Sequence, residues 1–507
     1  MNHPDTASYA PHRPSAGRRN ALKMAGGLGV TLAGGACSVG GTLSAPMAGS
    51  STAGAAVQTL VSAPASVRLV PDSRGPTPVW SYGGTVPGTR LDVRQGAAIA
   101  IDFRNELPDP STIHWHGIRL PNAMDGVPYL TQPPVDPGGR FRYAFAPPDA
   151  GTYWYHPHLG TPEQVGRGLY GALIVHEADP PAVDRDLLWL IDDWRLDGNA
   201  AIVEDFYNWS DVAFDGRIGN TVTVNGMEHH AEPVRRGERI RLRLVNTANA
   251  RMVSLAFGEH PVWLMALDGH PLPRPQRVTS DQDVFLGPGQ RADLIIDMTG
   301  PAGESFAVMD RLYRHRAYPV ATLEYGQAGA LRPTTVLAAR GAPAPLVPNE
   351  LPEPALADAR RVRIVMDGGM MRGPHVPWTT RAARRLRRLA GERIADPAWS
   401  LNGRAHLGHG PDHPFEFVAD QGETVHIAFE NRSTKWHPMH LHGHAFRELT
   451  RNGRPVPMQP WHDTTMVAPG ETLEVAFVAD NPGDWLIHCH ILEHHAGGMG
   501  TQFRVAA

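Results

Sequence analysis

The sequence predicts an all-β protein that contains three copies of one β-sandwich. First, 53 glycines and 47 prolines make up about a fifth of the 507 residues, which favours many turns over long helices. Second, apolar and polar residues alternate with a period of two along short runs, as in half-buried strands. Third, one arrangement of these runs occurs three times along the chain. These observations together favour repeated β-domains over a helical or mixed fold.

Each repeat begins with an alternating strand after a glycine and continues, much later, with a Pro-Gly turn and a second alternating strand. The paired runs are residues 96–105 with 137–145, 237–246 with 288–296, and 422–431 with 469–477. Proline-rich linkers separate the copies, at Pro180-Pro181 and at five prolines between positions 343 and 354. We therefore expect sandwiches at residues 56–180, 181–345 and 346–507, each of ordinary size for such a domain.

Residues 1–55 have the pattern of an export segment. Arg18-Arg19 precede a weakly apolar, glycine-rich run from Met24 to Gly41, which resembles a bacterial twin-arginine signal. A disordered basic tail explains the arginines but not the uncharged run. Removal of this segment, which contains Cys37, leaves Cys489 as the single cysteine, so no internal disulfide is expected. We predict a periplasmic or secreted protein.

Charge and hydropathy argue against two classes of partner. The formal charge of −4 and the pI near 6.7 provide no positive surface for nucleic acid. No later stretch has the 18 uninterrupted apolar residues that a membrane span needs, so no span is expected. We expect a monomer whose partners are small molecules.

Histidines stand at matched offsets in the first and third repeats. The offset of 18 residues separates Gly96 from His114 and Gly422 from His440, and the offset of 19 separates Pro137 from His156 and Pro469 from His488. A further histidine follows each of these four by two residues: His116, His442, His158 and His490. The middle repeat has Leu255 and Ala307 at the corresponding places, so we expect a spacer or substrate-shaping domain without ligands.

Each His-x-His pair projects both imidazoles to one face of a strand, because residues i and i+2 lie on the same side. The four pairs converge if the first and third domains pack around a pseudo-twofold axis. Eight buried imidazoles are hard to explain as core packing, since each ring nitrogen needs a partner. The pattern therefore predicts a metal cluster, and histidines satisfied singly by hydrogen bonds are the alternative.

Cys489 stands between two of these histidines and therefore points to the opposite face of its strand. His494 follows five residues later, Met499 five residues after that, and His437 lies in the HPMHLHGH stretch. Two imidazoles, one thiolate and a weakly bound thioether are the ligands that select a blue copper site. The sequence thus predicts a second metal site, joined to the histidine cluster by adjacent backbone.

These residues form four motifs that resemble those of the three-domain multicopper oxidases, the family of laccases, copper-efflux oxidases and bilirubin oxidases. The motifs are HWHG at 114–117, HPH at 156–158, HPMHLHGH at 437–444 and HCHILEHHAGGM at 488–499. The resemblance covers essentially the whole chain after the export segment. It implies three cupredoxin-like Greek-key β-sandwiches, with a trinuclear copper cluster at the interface of the first and third.

The same resemblance implies four copper ions: one type 1, one type 2 and two type 3. The implied ligands are His437, Cys489, His494 and axial Met499 for type 1, and His114 and His440 for type 2. The two type 3 sets are His116, His156 and His490, and His158, His442 and His488. Every ligand position is filled, unlike in the copper-free relatives. The implied reaction removes single electrons from a reductant at type 1 copper and reduces dioxygen to two waters at the cluster.

Two carboxylates are candidates for delivery of the protons that oxygen reduction consumes. Asp125, in NAMDG, and Glu493, in HCHILEH, match acidic positions that have this role in bacterial relatives. The alternative for Asp125 is a simple Asp-Gly turn. The alternative for Glu493 is an ion pair or a hydrogen bond that anchors its loop.

Three methionines and an arginine-rich stretch bear on the choice of substrate: Met366, Met370 and Met371, and residues 381–394. Copper-efflux oxidases carry a methionine-rich insertion that captures Cu(I), but the 16 methionines of this chain form no dense cluster. Packing explains the methionines, and a solvated helix face explains the arginines. The functional alternative for the arginine-rich stretch is a lid that attracts anionic or phenolic substrates.

We predict a laccase-like oxidase of phenols or related aromatics. The alternatives are a cuprous-ion oxidase for copper tolerance and a non-catalytic copper-binding or electron-transfer protein.

Overall fold

The computed structural model describes residues 57–70, 75–327, 329–333, 335–336, 340–370, 397–408, 410 and 413–507. Strands dominate these residues, and they form six sheets in three successive pairs. The all-β prediction is therefore confirmed. The predicted export segment, residues 1–55, lies outside the described residues.

The first pair of sheets is built from β1 to β8. These strands are Val57–Val67, Thr77–Tyr82, Leu91–Arg94, Ile99–Asn105, His114–His116, Arg140–Phe145, Gly151–His156 and Gly171–His176. One sheet has the order β2-β1-β4-β6 and the other has the order β3-β8-β7-β5. We call this unit the first sandwich.

The middle sandwich is built from β9 to β19. These strands are Arg185–Trp194, Thr221–Val224, His230–Val234, Arg239–Asn246, Val253–Ala256, Val262–Leu267, His270–Val278, Val284–Leu286, Arg291–Asp297, Ser305–Asp310 and Tyr318–Tyr325. Its sheets have the orders β10-β9-β12-β17-β14-β15 and β11-β19-β18-β13-β16.

The third sandwich is built from β20 to β31. These strands are Arg360–Gly368, Trp399–Leu401, Phe415–Asp420, Thr424–Asn431, His437–Leu441, Phe446–Arg451, Arg454–Pro455, Trp461–His462, Thr464–Val467, Thr472–Val478, Gly483–Cys489 and Gly500–Ala506. Its sheets have the orders β21-β20-β23-β29-β25-β26, with β27 beside β25, and β22-β31-β30-β24-β28.

One strand arrangement recurs in all three sandwiches. The strand after each repeat's glycine pairs in parallel with the sandwich's first strand and antiparallel with the strand after the Pro-Gly turn. These triplets are β1-β4-β6, β9-β12-β17 and β20-β23-β29. The predicted domain boundaries, at 180/181 and 345/346, fall between the three groups of strands.

The helices are short connectors between strands. The α-helices α1, α2 and α3 are Thr161–Gly166, Trp209–Ala213 and Leu492–Ala496, and 3-10 helices lie at Asn122–Met124, Arg314–Arg316 and Leu356–Asp358. The side chain of Asn208 begins α2 by accepting a hydrogen bond from the Asp211 N–H. Across the described ranges, no helix has the length and apolar character needed to cross a bilayer.

Apolar packing joins the first and third sandwiches. One continuous buried cluster contains Ile101 and Trp115 from the first sandwich together with Ile427 and Phe503 from the third. The middle sandwich has a core of its own, built by β12, β17 and their neighbours. Because the shared core fixes the first sandwich against the third, the histidine-bearing strands of the two meet at one interface.

Candidate metal centre

The four His-x-His pairs begin on two pairs of neighbouring strands with matching register, and His158, His442 and His490 lie one or two residues past the ends of β7, β24 and β30. In the first sandwich β5 pairs with β7, so that His114 lies opposite His156, and in the third β24 pairs with β30, so that His440 lies opposite His488. All eight imidazoles are buried. Rings of the two sandwiches meet directly: the centroids of His114 and His442 are 4.0 Å apart. The structure thus brings all eight predicted ligands together.

The imidazole nitrogens fall into sets of three, within 4.8 Å of one another: His114, His116 and His440; His116, His156 and His490; and His158, His442 and His488. The first set contains the two residues predicted for type 2 copper, and the others are the two predicted type 3 sets. The Nε2 atom of His488 lies 3.0 Å from Nε2 of His442 and 3.4 Å from Nε2 of His158. Nitrogens that each bind one metal ion at about 2 Å have such separations.

Hydrogen bonds at the outward ring nitrogens fix the tautomers of several of these histidines. Nδ1–H of His114 donates to the Asp125 carbonyl oxygen at 2.9 Å, and Nδ1–H of His440 donates to the Asp463 carbonyl oxygen at 2.9 Å. Nδ1–H of His156 donates to the carbonyl oxygen of the next residue at 3.0 Å. Because a carbonyl oxygen only accepts, the opposite Nε2 atoms carry lone pairs. These buried Nε2 atoms have no hydrogen-bond partner among the residues described. Such a donor set fits copper, whose imidazole ligands bind through a free lone pair.

Burial also favours the neutral imidazole form that binds metals. Desolvation, followed by the neighbouring histidines, lowers the pKa of His156, His442, His488 and His490 well below the usual value for histidine. The cluster is therefore ready to bind a cation without first losing protons.

Asp125 contacts predicted ligands from both sandwiches. Its Oδ2 accepts a hydrogen bond from Nδ1–H of His442 at 2.8 Å, and its Oδ1 lies 3.2 Å from Nδ1 of His114. Its backbone follows the 3-10 helix Asn122–Met124 and precedes Gly126, whose φ is +79°. The turn interpretation thus describes the backbone of Asp125, while its carboxylate orients two histidines.

Glu493 lies in α3, between the middle and first sandwiches. Its Oε1 accepts a hydrogen bond from the side-chain amide of Asn249 at 2.8 Å, and that amide also donates to the Pro162 carbonyl at 2.8 Å. Burial raises the pKa of Glu493 to about 7. Within the described part of the chain, no set of converging metal-ligand atoms includes Glu493. Its contacts are those expected of a residue that anchors α3.

Cys489 and two histidines form a second, separate set of ligands. The Cys489 Sγ lies 3.5 Å from Nδ1 of His437 and 3.7 Å from Nδ1 of His494, and these two nitrogens are 3.1 Å apart. All three side chains are fully buried. Burial lowers the pKa of His494 to about 3 and raises the pKa of the Cys489 thiol. A metal ion bound here would displace the thiol proton, because the thiolate is the ligand form.

Both imidazoles of this second set donate their outer N–H to the protein. Nε2–H of His437 donates to the Ser433 hydroxyl at 2.8 Å, and Nε2–H of His494 donates to the Phe214 carbonyl at 2.9 Å. Phe214 belongs to the middle sandwich, just after α2. The middle sandwich therefore orients a ligand although it supplies none.

Large side chains enclose both ligand sets. The Trp399 ring packs against His494, with centroids 4.3 Å apart, and the His495 ring stacks on His488, with centroids 4.1 Å apart. Met499, the predicted axial ligand, is fully buried, and its carbonyl oxygen accepts the Cys489 N–H at 3.0 Å. Sequence analysis did not single out Trp399 or His495.

Sequence analysis also missed Asp463 and Thr464, which lie behind the histidine cluster. The Asp463 Oδ1 accepts Nε2–H of His116 at 3.1 Å, and the Thr464 Oγ1 lies 3.0 Å from the same nitrogen. Burial raises the pKa of Asp463, but the Arg291 guanidinium and the neighbouring histidines outweigh it and hold this pKa well below the usual value. Their local sequence, WHDTTMV at 461–467, mixes polar and apolar residues and contains no signal that marks either one.

Three family models described as multicopper oxidase match residues 65–180, 185–328 and 393–507. A solved multicopper oxidase from Pseudomonas thermotolerans is 32% identical, with a TM-score of 0.76 over 89% of this chain and 99% of that chain. The chain belongs to the multicopper oxidase family. This confirms the resemblance of the motifs and the cupredoxin-like fold of the sandwiches.

Two further relatives have named activities or families. This multicopper oxidase is 28% identical to the multicopper oxidase MmcO of Mycobacterium tuberculosis, over 83% of this chain and 82% of that protein. It is also 28% identical to Laccase-1 of Botryotinia fuckeliana, over 84% of this chain and 78% of that protein. The protein is therefore an oxidoreductase, and its family implies copper as the cofactor.

The methionines discussed for substrate choice differ in exposure. Met366 is fully buried in the core shared by the first and third sandwiches, as the packing interpretation expects. Met370, two residues after the end of β20, is 46% exposed. Met371 and the arginine-rich residues 381–394 lie outside the described residues.

Proposed function

We propose that this multicopper oxidase is an exported enzyme that couples one-electron oxidation of small phenolic or aromatic reductants to four-electron reduction of dioxygen to water. The proposal assigns four copper ions, one type 1, one type 2 and two type 3, to the ligand sets described above. One observation carries it: His488 and His490 belong to the histidine cluster, while Cys489 between them belongs to the second set.

Bound copper would supply the one-electron redox chemistry and the site of oxygen reduction. The protein supplies rigid ligands and a connection between the two sites. A continuous path of covalent bonds runs from Sγ of Cys489 through the adjacent peptide groups to the imidazoles of His488 and His490. The backbone of this path is fixed because the His490 N–H donates to the Pro438 carbonyl at 2.6 Å.

Two carboxylates are proposed to carry protons to the cluster. Asp125 is hydrogen-bonded to His442 and lies against His114, so a proton on its carboxylate is one hydrogen bond from the ligand shell. Glu493 is the second proposed carrier, because its pKa of about 7 leaves both of its protonation states populated near neutral pH.

Support for a phenolic or aromatic substrate comes from the similarity to Laccase-1 and from the buried position of Met366. One observation favours cuprous ion as the alternative substrate. Met370 exposes a soft thioether two residues after Gly368, which pairs with Trp399 beside the second ligand set. The two substrates therefore require a direct comparison.

Oxygen consumption by the copper-loaded protein distinguishes the two substrates. We would compare a methoxyphenol with Cu(I) held in a weak chelator, each with and without added Cu(II). Fast phenol turnover without added copper supports the laccase-like assignment. If Cu(I) is consumed far faster and phenol turnover requires added copper, the enzyme is a cuprous-ion oxidase.

The His114→Ala variant separates an oxidase from an electron-transfer protein. We expect the blue absorption of the type 1 site to remain, because His114 lies outside the Cys489 set, while oxygen uptake is lost. A protein that only transfers electrons shows the colour but no turnover even without the substitution. Unchanged oxygen uptake in His114→Ala would reject the cluster assignment.

Export by the twin-arginine route is part of the proposal. This route is consistent with folding and copper loading before translocation, since a bound metal stabilises the folded chain. Cell fractionation tests it: the processed protein should be found outside the cytoplasm. Detection of only unprocessed protein in the cytoplasm would contradict it.

A further inference from the structure

A buried ion pair connects the middle sandwich to the histidine cluster. Arg291, in β17, and Asp463, just before β28, are both fully buried. The guanidinium donates two hydrogen bonds to the carboxylate, at 2.8 Å to Oδ1 and at 2.6 Å to Oδ2. Arg291 also donates to the Thr152 carbonyl of the first sandwich at 3.1 Å and to the Asp268 carbonyl of its own sandwich at 3.0 Å. One side chain therefore contacts all three sandwiches.

Asp463 transmits this contact to two of the predicted copper ligands. Its Oδ1 accepts Nε2–H of His116 at 3.1 Å, and its backbone carbonyl accepts Nδ1–H of His440 at 2.9 Å. A carboxylate held by a bidentate guanidinium only accepts hydrogen bonds, so the proton of His116 must be on Nε2. The lone pair of His116 is then on Nδ1, which is buried and without a hydrogen-bond partner in the described ranges.

The HWHG motif leaves space for this pair. Gly117 has a φ of +83°, and a Cβ at that position would collide with Nη2 of Arg291 and Oδ2 of Asp463. The glycine that follows His116 is thus required by the ion pair as well as by the backbone conformation. Two independent features therefore place Arg291 against the histidine strand β5: the hydrogen bonds through Asp463, and the missing Cβ of Gly117, whose place the ion pair occupies.

We propose that Arg291, in the sandwich that supplies no copper ligand, is a positioning residue for the trinuclear cluster. It holds Asp463 so that this carboxylate fixes the tautomer of His116 and the loop that orients His440. The inference rests on the proposed function and extends it: the middle sandwich takes part in oxygen reduction by setting the geometry of ligands in the other two. Loss of such an outer contact typically lowers metal affinity or activity about 10- to 100-fold.

The middle sandwich also offers a matched control. Arg239 and Asp297 form a second buried, bidentate pair between β12 and β17, with hydrogen bonds of 2.7 and 2.9 Å. Within the described residues, this pair makes no hydrogen bond to a histidine. The Arg239–Asp297 pair, which stabilises only the sandwich, therefore serves as the control for the Arg291–Asp463 pair, which contacts the cluster.

The experiment compares copper-loaded Arg291→Met, Arg291→Lys and Asp463→Asn with the parent and with Arg239→Met. The readouts are copper bound per chain, the type 1 blue absorption, the type 2 electron paramagnetic resonance signal, the type 3 near-ultraviolet absorption and oxygen turnover. We expect Arg291→Met and Asp463→Asn to keep the blue absorption, alter the type 2 and type 3 signals and lose about 10- to 100-fold in turnover. Arg291→Lys should fall between them and the parent, because an ammonium keeps the charge but not the fork. Arg239→Met should lose stability only.

Parent-like cluster signals and turnover in Arg291→Met would overturn the inference, as would equal loss of those signals in Arg239→Met. If Arg291→Met does not fold, Arg291→Lys and Asp463→Asn decide, because the first keeps the charge and the second keeps the shape. A parent without cluster signals or turnover rejects the proposed function and this inference together. A normal parent with normal variants rejects the inference alone.

Discussion

A single ring nitrogen decides how each predicted ligand functions. His440 donates Nδ1–H to a carbonyl and keeps Nε2 for the cluster, whereas His116 donates Nε2–H to Asp463 and keeps Nδ1. Because the acceptors are part of the protein, the choice of tautomer is made by the fold before a metal binds. Substitutions at the acceptors should therefore affect the metal sites while the ligands themselves remain in place.

The Asp125→Asn substitution tests this argument at the histidine cluster. The amide keeps the shape of Asp125 but weakens the hydrogen bond from His442 and removes the proposed proton carrier. We expect oxygen turnover to fall about 10- to 100-fold, with the type 1 blue absorption retained. Steady-state oxygen uptake and the visible spectrum measure the two effects. Turnover equal to that of the parent would show that the carboxylate has neither role.

The Glu493→Gln substitution should change how stability depends on pH. The pKa of Glu493 is about 7 in the folded protein because of burial, against an ordinary value of 4.5. Below about pH 4.5 the carboxyl is protonated in both states, and between there and pH 7 only the unfolded chain ionises, so stability falls as pH rises. The loss is complete above pH 7 and amounts to about 3 kcal/mol at most.

Urea unfolding of the copper-free protein at pH 5 and pH 8 measures this effect. Glu493→Gln should be more stable than the parent at pH 8 and closer to it at pH 5, because glutamine does not ionise and still accepts from Asn249. The exposed Glu304 provides the control, since Glu304→Gln should leave the pH dependence unchanged. An equal difference between Glu493→Gln and the parent at both pH values would contradict the assignment.

Turns set the position of the carboxylate Asp125. Gly126 and Gly138 have the same φ of +79°, but their surroundings differ. A Cβ on Gly126 would collide with the Ile113 carbonyl, whereas a Cβ on Gly138 would meet nothing within 4 Å. Substitutions at these two glycines therefore distinguish the stability lost to the left-handed conformation from the stability lost when the loop is displaced.

We expect Gly138→Ala to lose about 1–2 kcal/mol of stability, the ordinary cost of a left-handed residue with a Cβ. Gly126→Ala should lose more and should also weaken copper binding, because its loop must move away from His114. Thermal unfolding and copper content measure the two effects. Equal losses in the two variants, with full copper content in both, would show that the Asp125 loop does not depend on this close contact.

Elements with a periodic pattern could be predicted from the sequence, and contacts between elements could not. The alternation in residues 96–105 and 422–431 predicted β4 and β23, and the repeat offsets predicted that His114 and His440 are equivalent. Nothing near Phe214 predicted its contact with His494, because a backbone carbonyl makes the contact and any residue type supplies one. Asp463 was missed because its partners Arg291 and His116 are 172 and 347 residues away.

At the scale of the whole molecule, all three sandwiches hold the two ligand sets. The first and third supply the histidines, and the middle one supplies the Phe214 carbonyl to His494 and the Arg291 guanidinium to Asp463. These contacts are additional to the role expected from the sequence, that of a spacer or substrate-shaping domain without ligands. Because the middle sandwich contacts both ligand sets, copper binding and the stability of the whole chain should depend on each other.

Removal of copper should lower the melting temperature of the whole protein. A ligand that binds only the folded state stabilises it by about 2.7 kcal/mol when present at 100 times its Kd. Differential scanning calorimetry of the copper-loaded and chelated protein measures the shift. Cys489→Ser, which keeps the eight histidines, should lie between the two. Identical melting temperatures with and without copper would contradict the assignment of buried sites at the sandwich interface.

Strand β30 also limits how this protein can evolve. His488 faces the cluster and Cys489 faces away, because successive residues of a strand point to opposite sides, and His490, directly after the strand, faces the cluster again. Insertion or deletion of one residue before Cys489 would exchange the two faces, so both sites would be lost in one mutation. Related proteins can therefore accept substitutions in this strand but not insertions or deletions, and the two sites are kept or lost together.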